Sequence, residues 1–229
     1  VPRRKISLRE RIHDRLPPAL AITGDKGFKL VDVVDGRVSM EAFIAQLSAE
    51  ELACLVRGEG MCSHKVTPGV ASAFGGTGDS LLEKGIPLAA TADGPSGIRM
   101  DNGAHATLMP SGTLLASTWD PVLVERLYVM EGKELQQNQI DLLLGPGMNI
   151  HRHPLNGRNF EYFSEDPLLT GMMAAAMVRG IRSGGGIATL KHFACNSQEH
   201  ARAQADAVVS ARALREIYLK GFEYAVKQG

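Results

Sequence analysis

The sequence predicts an α/β domain built on a parallel sheet, and three observations carry that expectation. Short, mainly apolar runs recur at residues 88–92, 114–117, 141–145 and 187–193, without the polar–apolar alternation of a half-solvated strand. Helix-length segments with apolar residues at three- and four-residue spacing lie between or beside them. The Gly-, Pro- and charge-rich loops follow the apolar runs, which is where βαβ folds hold their ligands.

The elements can be justified in chain order. Residues 1–38 read as an arm or inter-domain connector, because Pro17-Pro18 and Thr23-Gly24-Asp25-Lys26-Gly27 interrupt any helix. Within the arm, residues 29–34 suit a short strand. The regular domain spans 39–229. Ser39 is placed to cap a helix over 40–47, and Ser48-Ala49-Glu50-Glu51 is a capping box for a helix that Gly58 closes. The glycine-rich stretch at Gly69, Gly75, Gly76 and Gly78 has no preceding strand signal and is a weak phosphate-loop candidate. Asp120-Pro121 and Asp166-Pro167 each pair an N-cap with proline at N1, starting helices that follow the second and third runs. Met172, Met173 and Met177 fall in the second of these helices as core residues. Gly184-Gly185-Gly186 leads into the last strand, and Ser210 caps a final helix to Lys227.

Composition narrows the function. Lys+Arg 25 balances Asp+Glu 25, with a pI near 7.2, so a phosphate-rich nucleic acid is not the expected partner. No apolar run approaches the roughly 20 residues of a membrane span. Cys54, Cys62 and Cys195 are widely spaced, with no Cys-x-x-Cys pair, which favours a reducing, cytoplasmic compartment over a disulfide framework or zinc site. The basic stretch Pro2-Arg3-Arg4-Lys5 lacks the apolar core of a signal peptide.

Polar residues mark three strand ends. Asp93 projects from the first, within Asp93-Gly94-Pro95-Ser96-Gly97-Ile98-Arg99; the plain alternative is a turn cap. The loop Gly157-Arg158-Asn159-Phe160-Glu161-Tyr162-Phe163-Ser164-Glu165-Asp166 mixes charges with aromatic faces, a combination that suits a sugar, although an ordinary surface loop shares that composition. Lys191-His192 ends an apolar strand, where a lysine is costly to bury without a partner. Neighbouring strand residues point to opposite sides, so bringing both to one ligand needs a local distortion. His151-Arg152-His153, with His192 and His200 elsewhere, leaves a metal-dependent hydrolase open, although no carboxylate is clearly placed to complete a zinc site.

Together these stretches resemble glycoside hydrolase family 3, the β-glucosidase and β-xylosidase family. The matching segments are Ala92-Asp93-Gly94-Pro95-Ser96-Gly97-Ile98-Arg99, Gly145-Pro146-Gly147-Met148-Asn149-Ile150-His151-Arg152, the loop from Gly157 through Asp166 to Pro167, and Lys191-His192-Phe193, in the family's order and over residues 39–229. The resemblance implies a (β/α)₈ barrel, truncated here before its last strands, with its pocket at the carboxyl ends of the strands. It implies that Asp93, Arg99, Arg158, Lys191, His192 and Arg202 bind the terminal sugar. It also implies a retaining mechanism whose nucleophilic Asp and acid/base Glu lie outside these residues, in the remaining barrel segment and an α/β sandwich domain. The basic, proline-containing arm fits an order in which that sandwich precedes the barrel. Ala194-Cys195-Asn196-Ser197-Gln198-Glu199 stands where the N-acetylglucosaminidase branch has Pro-Gly-His-Gly, so the resemblance is to the glucosidase side, with no acid/base role for His200. Asp166 reads as a helix cap. No cofactor or metal is implied; the substrate is a β-glucoside or oligosaccharide. The competing functions are a sugar-binding module without chemistry and the metal hydrolase.

Overall fold

The computed structural model of the chain describes residues 7–61 and 63–229; Cys62 and the basic stretch 2–5 lie outside the described residues. The arm carries a six-residue helix α1 (Leu8–His13) and a five-residue helix α2 (Leu30–Val34). The strand expected at 29–34 is thus a helical turn. Asp32 explains the change: its carboxylate accepts from the Lys29 N–H at 2.7 Å and pairs with Arg37 at 2.6 Å, closing a local loop that an extended segment would open.

Two helices follow as expected, α3 (Met40–Ala45) and α4 (Ala49–Arg57). Ser48 and Glu51 form the reciprocal capping box, and Gly58 ends α4 at φ +61°. Gln46 fastens the arm to this pair: its buried amide accepts from Lys26 and Phe28 N–H and donates to Phe28 O.

Among the described residues the sheet has four strands in sequence order, β1 (Ser72–Gly75), β2 (Leu88–Asp93), β3 (Leu142–Leu144) and β4 (Ile187–Ala188). β1 runs antiparallel to β2, and the other two pairs are parallel. The glycine stretch therefore does follow a strand, β1, which leads through Gly75 at φ +84° to a five-residue helix α5 (Asp79–Glu83). The run at 114–117 is also different from the expected strand: Ser111 accepts from the Leu114 N–H and starts helix α6 (Gly112–Ser117). Its apolar side chains are divided between the core, with Leu115 and Ala116 buried, and the surface, with Leu114 at 58% exposure. That division is helical spacing, and a four-residue window is too short to separate it from a strand.

The connections between parallel strands are the long helices α7 (Pro121–Gln137) and α8 (Pro167–Ser183). Asp120 accepts from Val122 and Leu123 N–H, and Asp166 from Leu169 N–H at 2.7 Å, so both carboxylates cap helices. Met173 and Met177 are fully buried, in one cluster with Val124, Tyr128, Leu135, Leu143 and Ile181; Met172 is half-buried. The final helix is interrupted: Ser210 caps α9 (Ala211–Ala213), a π turn spans Leu214–Tyr218, and α10 (Lys220–Gln228) packs on α8.

Helices α7 and α8 approach closely because glycine faces the crossing. A Cβ on Gly180 would meet Glu125 O at 2.4 Å and the Tyr128 side chain at 2.8 Å. Gly180→Ala is therefore expected to cost about 1–3 kcal/mol through forced separation of the helices. Urea unfolding of the variant checks this, and an unchanged midpoint would show that the crossing yields freely.

Candidate functional site

The carboxyl ends of the parallel strands converge on a cavity of about 390 Å³, within the size range of small-molecule sites. Its lining includes Asp93, Arg99, Arg158, Lys191 and His192. Asp93 is the last residue of β2, and Lys191 bridges to Gly147 beyond β3 and β4. Lys191 and His192 both face this cavity, joined by a cis peptide.

Lys191 finds the partners that its burial demands. Its ammonium donates to Asp93 Oδ1 at 2.6 Å and lies 3.4 Å from Glu161 Oε2. The Glu161 side chain is only 2% exposed and accepts from Arg158 at 2.6 Å through Oε1. One buried carboxylate thus sits between two cations. Arg158 also donates through Nε to Glu199 Oε1 at 2.8 Å. Burial opposes the guanidinium charge, but Glu161 and Glu199 outweigh it and hold its pKa above the ordinary value.

His192 is fixed on every side. Asn149, itself 2% exposed, accepts from the His192 N–H at 2.8 Å and donates to its carbonyl at 3.0 Å. Arg158 lies 3.1 Å from His192 Nε2, and Tyr162 Oη lies 3.0 Å from Nδ1. A guanidinium can only donate, so Nε2 presents its lone pair and Nδ1 carries the proton, given to the tyrosine oxygen. Burial first, then the Arg158 charge, lower the imidazole pKa, in keeping with this neutral tautomer.

Arg99 stands at the rim, 63% exposed and paired with Asp101 at 3.0 Å. Arg202 is the one residue of the implied set not brought to this cavity. Its side chain is 58% exposed, bonds Glu199 Oε2 at 2.8 Å and lines a neighbouring cavity of about 700 Å³. The physical reason is its backbone: residues 189–209 contain no helix or strand, and only Glu199 links Arg202 to Arg158.

The metal alternative meets a different arrangement. His153 is exposed, its Nδ1 accepting from Leu155 N–H at 3.1 Å, and His200 is exposed elsewhere. Among the described residues, no three His, Cys, Asp or Glu side chains stand together as metal ligands.

Sequence reasoning missed Asn149, Glu161, Tyr162 and Glu199 as parts of this network, as well as Asn196, whose amide donates to Tyr162 Oη at 3.3 Å and to Glu199 Oε1 at 3.0 Å. A signal existed for Glu161. It lies three residues after Arg158, and a buried lysine already required an anion. Glu199 lies three residues before Arg202, but its bond to Arg158 spans 41 residues and had no local signal.

Comparison with known proteins agrees with this geometry. The family model described as the glycosyl hydrolase family 3 N-terminal domain matches residues 38–229. The β-glucosidase of Ruminococcus albus is 58% identical over 213 residues, covering 93% of this chain and 22% of that protein. An exo-α-(1→6)-L-arabinopyranosidase of Bifidobacterium longum is 44% identical over 156 residues, 63% of this chain and 21% of that one. The structure of a β-glucosidase from Paenibacillus barengoltzii superposes on the whole chain with a TM-score of 0.93 at 70% identity, over 25% of its own length. β-Glucosidase 3B of Thermotoga neapolitana, solved with glucose, gives 0.75 at 43% identity over 81% of this chain and 27% of that one. The chain thus spans about a quarter or less of the length of these relatives.

Proposed function

The chain belongs to glycoside hydrolase family 3, and from that premise we propose that it supplies the glycone pocket of a retaining, exo-acting β-glucosidase. The observation that carries this reading is the Asp93–Lys191–Glu161–Arg158–His192 network around one cavity. A sugar presents adjacent hydroxyls that each donate and accept. Asp93 can accept from two of them, Lys191 and Arg158 donate, and the neutral His192 edge is held at fixed orientation. Arg99 closes the rim, and Arg202 completes the set through Glu199.

In this reading the sheet is part of a (β/α)₈ barrel, supported by the successive parallel strands β2, β3 and β4 with α7 and α8 between them. Residues 1–38 act as connector and 39–229 as barrel. The nucleophilic Asp and the acid/base Glu come from segments outside these residues: the remaining barrel and an α/β sandwich domain. The nucleophile attacks the anomeric carbon as the acid protonates the leaving oxygen, and water then releases the sugar with retained configuration. The part of this chain is to hold the non-reducing glycone in place during both displacements. Among the described residues no helix is long and apolar enough to cross a membrane, and the unpaired Cys54 and Cys195 suit the cytoplasm.

The test compares the 229-residue chain with the protein carrying its flanking encoded segments. The chain alone is expected to bind glucose and leave an aryl β-D-glucoside intact, while the longer protein cleaves it with retention. Cleavage by the chain alone would refute the placement of the nucleophile elsewhere, and zinc-dependent turnover would favour the metal hydrolase. Because one relative is an arabinopyranosidase, the aryl α-L-arabinopyranoside belongs in the same assay.

A further inference from the structure

Tyr162 is fully buried and does not line the sugar cavity, yet its hydroxyl belongs to a closed ring of hydrogen bonds around His192. The two rings lie 6.1 Å apart at 66°, so the tyrosine meets the imidazole at its edge. His192 Nδ1 stands 3.0 Å from Tyr162 Oη, and Asn196 Nδ2 donates to the same oxygen at 3.3 Å. Asn196 Nδ2 also donates to Glu199 Oε1 at 3.0 Å. Arg158 closes the ring, reaching Glu199 Oε1 at 2.8 Å and His192 Nε2 at 3.1 Å.

The two charged members set the polarity of every bond in the ring. Arg158 can only donate, and the Glu199 carboxylate, paired with both Arg158 and Arg202, can only accept. Glu199 therefore obliges Asn196 to turn its N–H groups inward, where Tyr162 Oη is the second acceptor. Arg158 likewise obliges His192 to present the Nε2 lone pair, since an Nε2–H would set two donors against each other. Both paths end on the tyrosine oxygen, which accepts from Asn196 and from the His192 Nδ1–H.

The holder is rigid. Gly112, at the start of α6, presses on the loop that carries the tyrosine: a Cβ there would meet Glu161 O at 2.7 Å and Tyr162 O at 2.8 Å. On the other side, the Asn149 amide pairs with both the N–H and the carbonyl of His192, so the histidine backbone is fixed. Only the imidazole can turn, and Tyr162 is what holds its Nδ1 edge. That leaves Nε2 as the acceptor, beside Arg158 Nη1, and both residues line the cavity. A sugar hydroxyl fits this pair, donating to Nε2 in place of Arg158 and accepting from Arg158 in turn.

We propose that Tyr162 is a positioning residue of the sugar site: by accepting from Nδ1 it keeps His192 in the tautomer whose Nε2 accepts a hydroxyl proton of the bound sugar. The proposal rests on the glycosidase reading. The test uses the protein with its flanking segments as wild type, Tyr162→Phe, His192→Ala and the double variant. Each is titrated with glucose and with glucose analogues in which one hydroxyl at a time is replaced by fluorine, which cannot donate. Tyr162→Phe leaves the Nδ1–H buried without a partner and is expected to raise the glucose Kd roughly tenfold. In the His192→Ala background it should change nothing further, because the residue it acts through is gone.

The fluorine series separates positioning from packing. In the wild type, fluorine is costly at each hydroxyl that donates to the protein. At the one read by His192, that cost should fall to within about twofold in both Tyr162→Phe and His192→Ala, while the cost at the other positions persists. Additive effects of the two substitutions, or an equal loss for every analogue, would make Tyr162 an ordinary core residue and overturn the proposal. Should Tyr162→Phe not fold, wild type and His192→Ala still decide. Loss of the cost at one position supports the acceptor tautomer, and an unchanged pattern shows that Nε2 takes no sugar proton and overturns it. If the wild type neither binds glucose nor cleaves a glucoside, the glycosidase reading fails and the proposal falls with it. If it binds glucose and the fluorine patterns coincide, the proposal alone fails.

Discussion

Replacing Asp93 with alanine is expected to weaken glucose binding by roughly 30- to 1000-fold, about 2–4 kcal/mol, while leaving the fold nearly as stable as before. Two losses combine. The site loses a charged acceptor able to take two hydroxyl protons, and Lys191 loses its 2.6 Å partner, keeping only Glu161 at 3.4 Å. The fold is spared because Asp93 sits at a strand end with its side chain 39% exposed, so its removal opens no buried cavity. Calorimetric titration with glucose, together with thermal unfolding, checks both halves. An affinity within about threefold of wild type would remove Asp93 from the sugar site. A large fall in Tm would make it a structural ion-pair partner instead.

The second large effect belongs to Glu161. Glu161→Gln is expected to lower stability by about 3 kcal/mol and sugar affinity by about tenfold or more, because it removes the buried negative charge shared by Arg158 and Lys191. The two cations keep Glu199 and Asp93 respectively, so the site is distorted rather than abolished. Glutamine fills nearly the same volume, and its effect therefore reports the charge and not packing. Urea unfolding gives the stability change, and titration with glucose gives the affinity. A variant as stable as wild type would mean that Glu199 and Asp93 alone balance these cations.

These two residues illustrate different degrees of legibility. Asp93 could be picked out because its run ends in Asp-Gly-Pro, a sharp turn that leaves a carboxylate at the strand terminus. Lys191 was conspicuous for the cost of burying an amine after Ile187-Ala188-Thr189-Leu190. Glu161 was visible only as one charge in a mixed loop, since nothing local says which of Glu161, Glu165 and Asp166 turns inward. Glu161 is buried, while Glu165 and Asp166 are exposed, Asp166 serving as a helix cap. Arg202 marks the opposite case. The resemblance places it with the sugar, whereas here its loop carries it to a neighbouring cavity, tied back through Glu199 alone.

The sequence by itself determined the helix starts at Ser48, Asp120 and Asp166, the apolar strands at 88–92 and 141–145, and the family. Those signals are local: caps, proline at N1 and uniform apolar runs act within a few residues. Only the tertiary structure decided that residues 30–34 and 114–117 are helical, that β1 runs antiparallel, and that Lys191 reaches back 98 residues to Asp93. It alone placed Glu161 between two cations. The reason is physical. Short apolar runs satisfy either backbone geometry, and pairing of buried charges depends on distances through space that chain spacing does not encode.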